Sequence, residues 1–186
     1  AARQDVNVSV AGGRRTEIKG VYHHRGLPQM VHIEGFRQLN LLRIRAELLR
    51  RGVIPESLKA PADAQPVENR PHVLDPTSSL RGSDFPPLRD CLDRGESAAA
   101  VRLPGFAGLL VHRTQPGLTF ANEFADRVRV ISCLTSRPFM IHSDIEGYGL
   151  THVEWQHLRK SVRAESGDAV IVLWGPERDL ATAVRE

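Results

Sequence analysis

The sequence is poor in cysteine, in aromatic residues and in long apolar runs, and each shortage excludes a class of protein. Cys91 and Cys133 are the only thiols among 186 residues and form no CxxC pair, so we expect neither a zinc knuckle nor a disulfide framework, and two reduced, unpaired thiols. Because Phe, Trp and Tyr make up only 5% of the chain, no aromatic platform for stacking nucleobases is predicted. No apolar run approaches the roughly 20 residues of a membrane-spanning helix, and the layout of a secretory signal is absent. These shortages predict a soluble cytoplasmic protein without membrane contact.

Charge is unevenly distributed along the chain. Residues 1–60 carry 11 Lys and Arg against 5 Asp and Glu, a balance of +6, whereas residues 61–186 carry 14 against 17, a balance of −3. The basic segment is the part that we would place against a phosphate backbone. An excess of this size also occurs on ordinary protein surfaces.

A β-hairpin is the clearest local prediction. From residue 5 to residue 10, polar side chains alternate with Val6, Val8 and Val10, which is the period of a strand with one buried face. The stretch 11–13 contains two glycines and supplies the turn. Residues 15–21 form the second arm.

Pairing of the two arms predicts one polar face made of Asp5, Asn7, Glu17 and Lys19. Two carboxylates, an amide and a lysine can hold a divalent cation together with a phosphate chain, because hard cations prefer oxygen ligands and lysine supplies a point charge. The alternative is an ordinary solvated hairpin face.

A long amphipathic helix is predicted after the hairpin, from Gln29 or Val31 to Arg51. Arg50 and Arg51 suit the negative end of the helix dipole. Three arginines farther from that end are candidates for contact with RNA phosphates, although a solvated face explains them equally well. They are Arg37, Arg43 and Arg45.

Residues 55–90 are rich in proline and form a loose middle segment. The stretch 60–64 is typical of a linker, so a domain boundary is expected near residues 53–66. A short strand over 71–75 and a short helix over 86–92 are predicted within the segment.

The remainder alternates strands and helices, which predicts an α+β domain. Strands are expected over 99–103, 108–112, 139–142 and 168–174. Helices are expected over 120–128, from a capping box formed by Thr151 and Glu154 to near Gly167, and after Pro176.

Two further groups in this part have a functional and a structural explanation. His142 and Asp144 share a face if the strand continues, and could bind a metal or transfer protons, or could simply hold a turn. The run 105–108 could approach a phosphate through its backbone, but a tight turn between strands is the more common explanation.

Motifs in the first 40 residues resemble a known family. They are Arg-Gln-Asp-Val-Asn-Val-Ser at 3–9, Glu-Ile-Lys-Gly-Val at 17–21 and Glu-Gly-Phe-Arg-Gln-Leu at 34–39. They are similar to the end of the cradle domain in the B and E subunits of tRNA-dependent amidotransferases, and most nearly to the E subunit of the archaeal glutamyl-tRNA(Gln) enzymes. The resemblance implies that ATP and Mg²⁺ bind the cradle, which phosphorylates the glutamyl group on mischarged tRNA(Gln) before ammonia displaces the phosphate.

The same resemblance implies specific residues and partners. Asp5, Asn7, Glu17 and Lys19 would line or support the ATP–magnesium site, whereas no catalytic residue and no direct metal ligand is assigned. Ammonia would come from a separate glutaminase partner, the D subunit, within a heterotetramer.

A second resemblance covers the later part of the chain. Leu-Pro-Gly-Phe-Ala-Gly at 103–108, Ile-His-Ser-Asp at 141–144 and Tyr-Gly-Leu-Thr at 148–151 are similar to an insertion domain shared by the archaeal E subunit and bacterial aspartyl-tRNA synthetases. That domain is a two-layer α/β sandwich. The implied division is a partial cradle domain over 1–58 and the insertion domain over 59–186.

Two hypotheses of function follow. The chain belongs to the subunit that converts Glu-tRNA(Gln) to Gln-tRNA(Gln), and is inactive on its own because much of the cradle is missing. Alternatively, it is a non-catalytic module that binds tRNA or docks a partner.

Overall fold

The structure, a computed structural model, describes residues 4–53, 73–134, 138–145 and 147–185. It opens with the predicted hairpin, made of strands β1 (Gln4–Val8) and β2 (Thr16–Val21). The strands are antiparallel, with Asn7 opposite Glu17, and the Gly13 N–H closes the turn on the Val10 carbonyl at 2.9 Å. The alternation of polar residues and valines thus predicted this element correctly.

A single-turn 3₁₀ helix (His24–Gly26) leads into the long helix α1 (Leu27–Arg50). The helix starts a few residues before the predicted position because Pro28 lies in its first turn, where a missing N–H costs no hydrogen bond. It ends within one residue of the predicted position, and Gly52 follows with a φ of +70°.

The second part of the chain is built on a four-stranded antiparallel sheet of order β3-β4-β8-β7. Its strands are β3 (Val73–Leu74), β4 (Ser97–Leu103), β7 (Phe139–His142) and β8 (Ala169–Gly175). Every residue of the central strand β8 is buried, as expected for the most continuous apolar run in the chain.

Helices lie against both faces of this sheet. One face packs on α2 (Thr77–Leu80), α3 (Pro86–Asp93) and α5 (His152–Ser161), and the other on α4 (Phe120–Ile131) and α6 (Glu177–Arg185). The predicted α+β class is confirmed, with one helical layer more than the two-layer sandwich of the prediction. The second layer follows from β4 and β8, whose alternate residues are buried on opposite sides.

The predicted strand over 108–112 is wrong. The chain there forms consecutive turns, in which the Leu109 N–H bonds to the Phe106 carbonyl at 2.9 Å and the His112 N–H to the Leu109 carbonyl at 3.1 Å. Leu109 and Leu110 are buried, so their hydrophobicity reports burial of a loop rather than a strand. A small hairpin that was not predicted follows it, made of β5 (Arg113–Gln115) and β6 (Leu118–Thr119).

Other local predictions are confirmed. The capping box forms at the start of α5, where the Glu154 N–H donates to Thr151 Oγ1 at 3.3 Å and the Thr151 N–H donates to Glu154 Oε2 at 2.7 Å. The short strand over 71–75 is found at 73–74. The predicted linker and most of the boundary region (53–66) lie outside the described residues.

Helix α1 packs directly on the second part of the chain. Ile44 and Leu48 of α1 form a small buried cluster with Leu109. Arg51 donates to the Gly105 carbonyl at 2.7 Å and to the Ala107 carbonyl at 2.8 Å. The two parts are therefore joined by apolar and polar contacts, not only by the intervening segment. None of the described helices is both long and apolar enough to span a membrane.

Candidate functional site

The hairpin presents one polar, exposed face. Asp5, Asn7, Glu17 and Lys19 are all exposed on it, while Val8 on the opposite face is buried. Lys19 Nζ lies 3.6 Å from Glu17 Oε2. The structure thus brings together the four residues that the alternation placed on one face, and their role in binding a cofactor stays a prediction.

A β-bulge lies at the start of β1, at the end of the hairpin away from its turn. The register shifts between Gln4 and Val6, and the Gly20 N–H donates to Asp5 Oδ1 at 3.0 Å across the irregularity. Gly20 has a φ of +75°, a conformation that a residue with a Cβ rarely adopts. The bulge therefore explains the glycine and fixes the Asp5 side chain.

The donor set of this face fits Mg²⁺ bound together with a nucleotide. Magnesium in such sites uses one or two carboxylates, completes its shell with phosphate oxygens and water, and needs no cage of protein ligands. Asp5 and Glu17 supply two carboxylates, Asn7 an amide oxygen, and Lys19 a charge for a phosphate. Within the described ranges no group of three or more His, Cys, Asp or Glu is placed to hold a metal ion.

Gln38 of α1 holds the hairpin in place. Its Oε1 accepts from the Val10 N–H at 3.1 Å, and its Nε2 donates to the Val8 carbonyl and to Thr16 Oγ1, each at 3.1 Å. The amide orientation is fixed because a flip would set two donors against each other. Gln38 is only 6% exposed, so both arms of the hairpin depend on one buried side chain.

The Arg37 guanidinium pairs with two carboxylates, and its contact with RNA stays a prediction. Its Nε lies 2.8 and 2.9 Å from the two oxygens of Glu123 on α4, and its Nη1 lies 3.4 Å from Glu34. The hydrogen bonds with Glu123 raise the pKa of the Arg37 guanidinium. Glu34 in turn accepts from Gln38 Nε2 at 2.9 Å. Arg37, predicted as a phosphate contact, thus lies between Glu123 in the second part of the chain and the Glu34–Gln38 pair that holds the hairpin.

Arg43 and Arg45 are exposed on α1 and remain candidates for phosphate contact. Arg43 donates to Asn40 Oδ1 at 3.3 Å, and Asn40 also lies 3.1 Å from His112 Nε2. The two arginines are two positions apart, which is about 200° around a helix, so they do not form one stripe. An RNA backbone would meet them from different sides of the helix.

The structure favours the structural explanation for His142 and Asp144. His142 is 5% exposed, and its Nδ1 is buried with no hydrogen-bond partner among the described residues. Burial lowers the pKa of His142, against an opposing effect of the Asp144 charge. Asp144 accepts from the Leu110 N–H at 3.1 Å and so fixes the turn at 108–112.

The run 105–108 is a turn held by its neighbours. The Gly105 N–H donates to Asp168 Oδ1 at 2.9 Å, and the Ala107 N–H donates to the Gly167 carbonyl at 3.0 Å. Since these N–H groups are already used, the phosphate-binding alternative loses two of its donors.

Sequence reasoning missed the role of Glu123 and Glu34. Glu123 lies within a predicted helix, and no local signal indicates its pairing with Arg37, which is 86 positions away in the sequence. Glu34 did carry one, because Glu34 and Gln38 are four apart and Glu34 and Arg37 three apart, the spacings at which helix side chains meet.

Residues 88–184 match the family model described as the GAD domain, which is more than half of the chain, and the chain belongs to this family. The matched range holds β4 to β8 and most of their covering helices.

Nearly the whole chain is similar to one group of relatives. It is 36% identical over 185 residues to the E subunit of the glutamyl-tRNA(Gln) amidotransferase of Pyrococcus furiosus, covering 99% of this chain and 27% of that protein. It is 39% identical over 185 residues to the E subunit of Methanopyrus kandleri (98% and 26%), and 40% identical over 182 residues to that of Pyrobaculum neutrophilum (97% and 27%). The chain spans about a quarter of the length of these relatives, and the resemblance predicted from its motifs is confirmed.

Proposed function

We propose that this chain is part of a cytoplasmic tRNA-dependent amidotransferase subunit that converts Glu-tRNA(Gln) to Gln-tRNA(Gln). The similarity over nearly the whole chain to the archaeal E subunits supports this assignment. The observation that carries the chemical part is the exposed hairpin face with two carboxylates, an amide and a lysine. The glutaminase partner, the D subunit, would supply the ammonia, and the assembly would be a heterotetramer.

In this proposal the hairpin face positions the phosphate chain of ATP. Asp5 and Glu17 would support Mg²⁺, and the ion would neutralise phosphate charge when bound. Lys19 steadies the charge that develops on the transferring phosphoryl group. The γ-phosphoryl group moves from ATP to the glutamyl side-chain carboxylate, ADP leaves, and ammonia then displaces phosphate to form the amide.

The hairpin and α1 supply only part of such a site. Phosphoryl transfer depends on groups that surround the phosphate on several sides, whereas this face is exposed and open. We therefore propose that the 186-residue chain has no amidation activity on its own, and that Arg43 and Arg45 contact tRNA phosphates.

Glu17→Ala in the full-length subunit, assembled with its glutaminase partner, tests the proposal. We expect single-turnover amidation to fall by about 100-fold, because a group that acts on transition-state charge is removed. Affinity for Glu-tRNA(Gln) should stay within about twofold, since an exposed carboxylate adds little to RNA binding. Asp93→Ala, which removes an exposed acid at the end of α3, is the matched control.

A parallel loss of amidation and tRNA binding in Glu17→Ala would argue against a chemical role. It would favour the second candidate, a tRNA-binding or docking module without chemistry. The basic balance of residues 1–60 and the exposed Arg43 and Arg45 are the observations that favour that candidate.

A further inference from the structure

A continuous route of polar contacts leads from the GAD domain to the hairpin. It starts at Glu123 on α4, passes through Arg37 and Glu34 of α1, and reaches Gln38, the residue that holds the hairpin. Every step is a hydrogen bond or an ion pair of 3.4 Å or less.

The GAD-domain end of the route is rigidly held. Besides Arg37, the Glu123 carboxylate accepts from Gln115 Nε2 at 2.9 Å and from Thr114 Oγ1 at 3.2 Å. Thr114 is fully buried, and Glu123 lies in the first turn of α4, where the helix dipole favours a negative charge. The carboxylate is therefore a fixed anchor for the guanidinium.

Glu34 and Gln38, in the middle of the route, are buried and need their polar partners. Glu34 is 8% exposed and Gln38 is 6% exposed. A carboxylate at that depth needs a cation and hydrogen-bond donors, and Arg37 and Gln38 are the groups that the structure supplies. If Arg37 loses Glu123, the Glu34 carboxylate is expected to shift with it and to draw on the Gln38 amide.

We propose that Glu123 and Arg37 are positioning residues for the hairpin, through which the GAD domain sets the placement of the face that carries Asp5, Asn7, Glu17 and Lys19. This inference rests on the proposed nucleotide-binding role of that face. It gives the GAD domain a function in the reaction without any contact between the domain and the reacting groups.

Hydrogen exchange of the Val10 amide tests the positioning directly, because that N–H donates to Gln38 Oε1. In full-length subunit carrying Glu123→Gln, we expect Val10 to exchange about 10-fold faster. The Gly13 amide, bonded within the turn to the Val10 carbonyl, should keep its rate. Unchanged exchange at Val10 would overturn the proposal.

Glu47→Gln is the matched control. Glu47 also pairs with arginines of the helix C-terminus, and one of them, Arg51, bonds to carbonyls of the GAD domain. The hydrogen bonds and ion pairs described for the Glu47 side chain go to Arg50 and Arg51, so its loss should leave the Val10 amide unchanged. If Glu123→Gln and Glu47→Gln change Val10 exchange equally, the effect reflects a general loss of stability, and the proposal is contradicted.

Amidation kinetics then separate this inference from the function on which it rests. Glu123→Gln should raise the KM for ATP by about 3- to 10-fold and lower kcat as well, because the displaced face also acts on transition-state charge, with the KM for Glu-tRNA(Gln) nearly unchanged. Faster exchange at Val10 with an unaltered KM for ATP would count against the nucleotide role of the hairpin rather than against its attachment to the GAD domain.

Arg37→Lys keeps the measurement possible if Glu123→Gln does not fold. Lysine preserves the charge but has one side-chain nitrogen, so it cannot contact Glu123 and Glu34 through separate nitrogens as Arg37 does through Nε and Nη1. We expect a smaller change of the same kind in Val10 exchange and in the KM for ATP. Wild-type values of both quantities in Arg37→Lys would contradict the positioning role of Arg37.

Discussion

At the scale of single residues, Asp168 shows how one carboxylate fixes a turn of the GAD domain. It accepts from Arg102 Nε at 2.6 Å, from the Glu165 N–H at 2.8 Å and from the Gly105 N–H at 2.9 Å. Although burial raises the pKa of Asp168, these backbone donors and Arg102 outweigh it and hold the pKa below the ordinary value. The charged form is thus the one that the fold stabilises.

Asp168→Asn should therefore destabilise the protein by about 2 to 4 kcal/mol, because an amide turns an N–H toward donors and leaves Arg102 without its closest anion. Urea denaturation at neutral pH measures the change. Asp90→Asn, an exposed acid on α3, is the control and should have little effect. A stability equal to wild type in Asp168→Asn would contradict this account.

The pH dependence of the same variant follows from the direction of the pKa shift. A carboxyl whose pKa is lower in the folded state stabilises it above the unfolded pKa of about 4, and loses this contribution as the pH falls toward the folded value. The difference between wild type and Asp168→Asn should therefore shrink below about pH 4.

At the scale of elements, local sequence predicted those whose contacts are local. The hairpin was predictable because its valines alternate, and α5 because its capping box lies within four residues. The run 108–112 was not, because Leu109 is buried against α1, far away in the sequence, and Leu110 against the sheet and its covering helices. The predicted polar face of the hairpin formed for the same local reason, whereas Gln38 and Glu123, which support it, depend on contacts between distant segments.

The contact between the end of α1 and the turn after β4 depends on a glycine. Gly105 has a φ of +71°, and a Cβ built on it would collide with Val53 just beyond α1. Gly117 has a similar φ of +75°, with nothing described within 4 Å of its Cβ position. Substituting alanine at each of the two glycines therefore separates the cost of the backbone conformation, common to both, from the cost of the collision at Gly105.

Gly117→Ala should lower the free energy of unfolding by about 1 to 2 kcal/mol, the usual cost of a Cβ in the left-handed region. Gly105→Ala should cost about 1 to 3 kcal/mol more, since Val53 must also move. Chemical denaturation of both variants measures the difference. Equal destabilisation would show that α1 does not press on this turn.

At the scale of the whole molecule, the hairpin, α1 and the GAD domain form one connected structure. Apolar packing of Ile44 and Leu48 on Leu109 joins α1 to the domain, and the pair between Arg37 and Glu123 adds a polar connection nearer the hairpin. The predicted division at residue 58 separates these parts in sequence, whereas the contacts keep them together in space. The GAD domain therefore contributes to the setting of the hairpin face.

The most direct test of the central claim is ADP formation that depends on Glu-tRNA(Gln), measured in a single turnover by the full-length complex carrying Lys19→Ala. Lys19 is exposed, and its ammonium pairs with Glu17 at 3.6 Å, so its loss should not disturb the fold. Arg14→Ala, an exposed cation in the turn of the same hairpin, is the control. We predict that Lys19→Ala slows ADP formation by about 100-fold while Arg14→Ala stays within about twofold of wild type. ADP formation at the wild-type rate in Lys19→Ala would contradict a nucleotide site on this face of the hairpin.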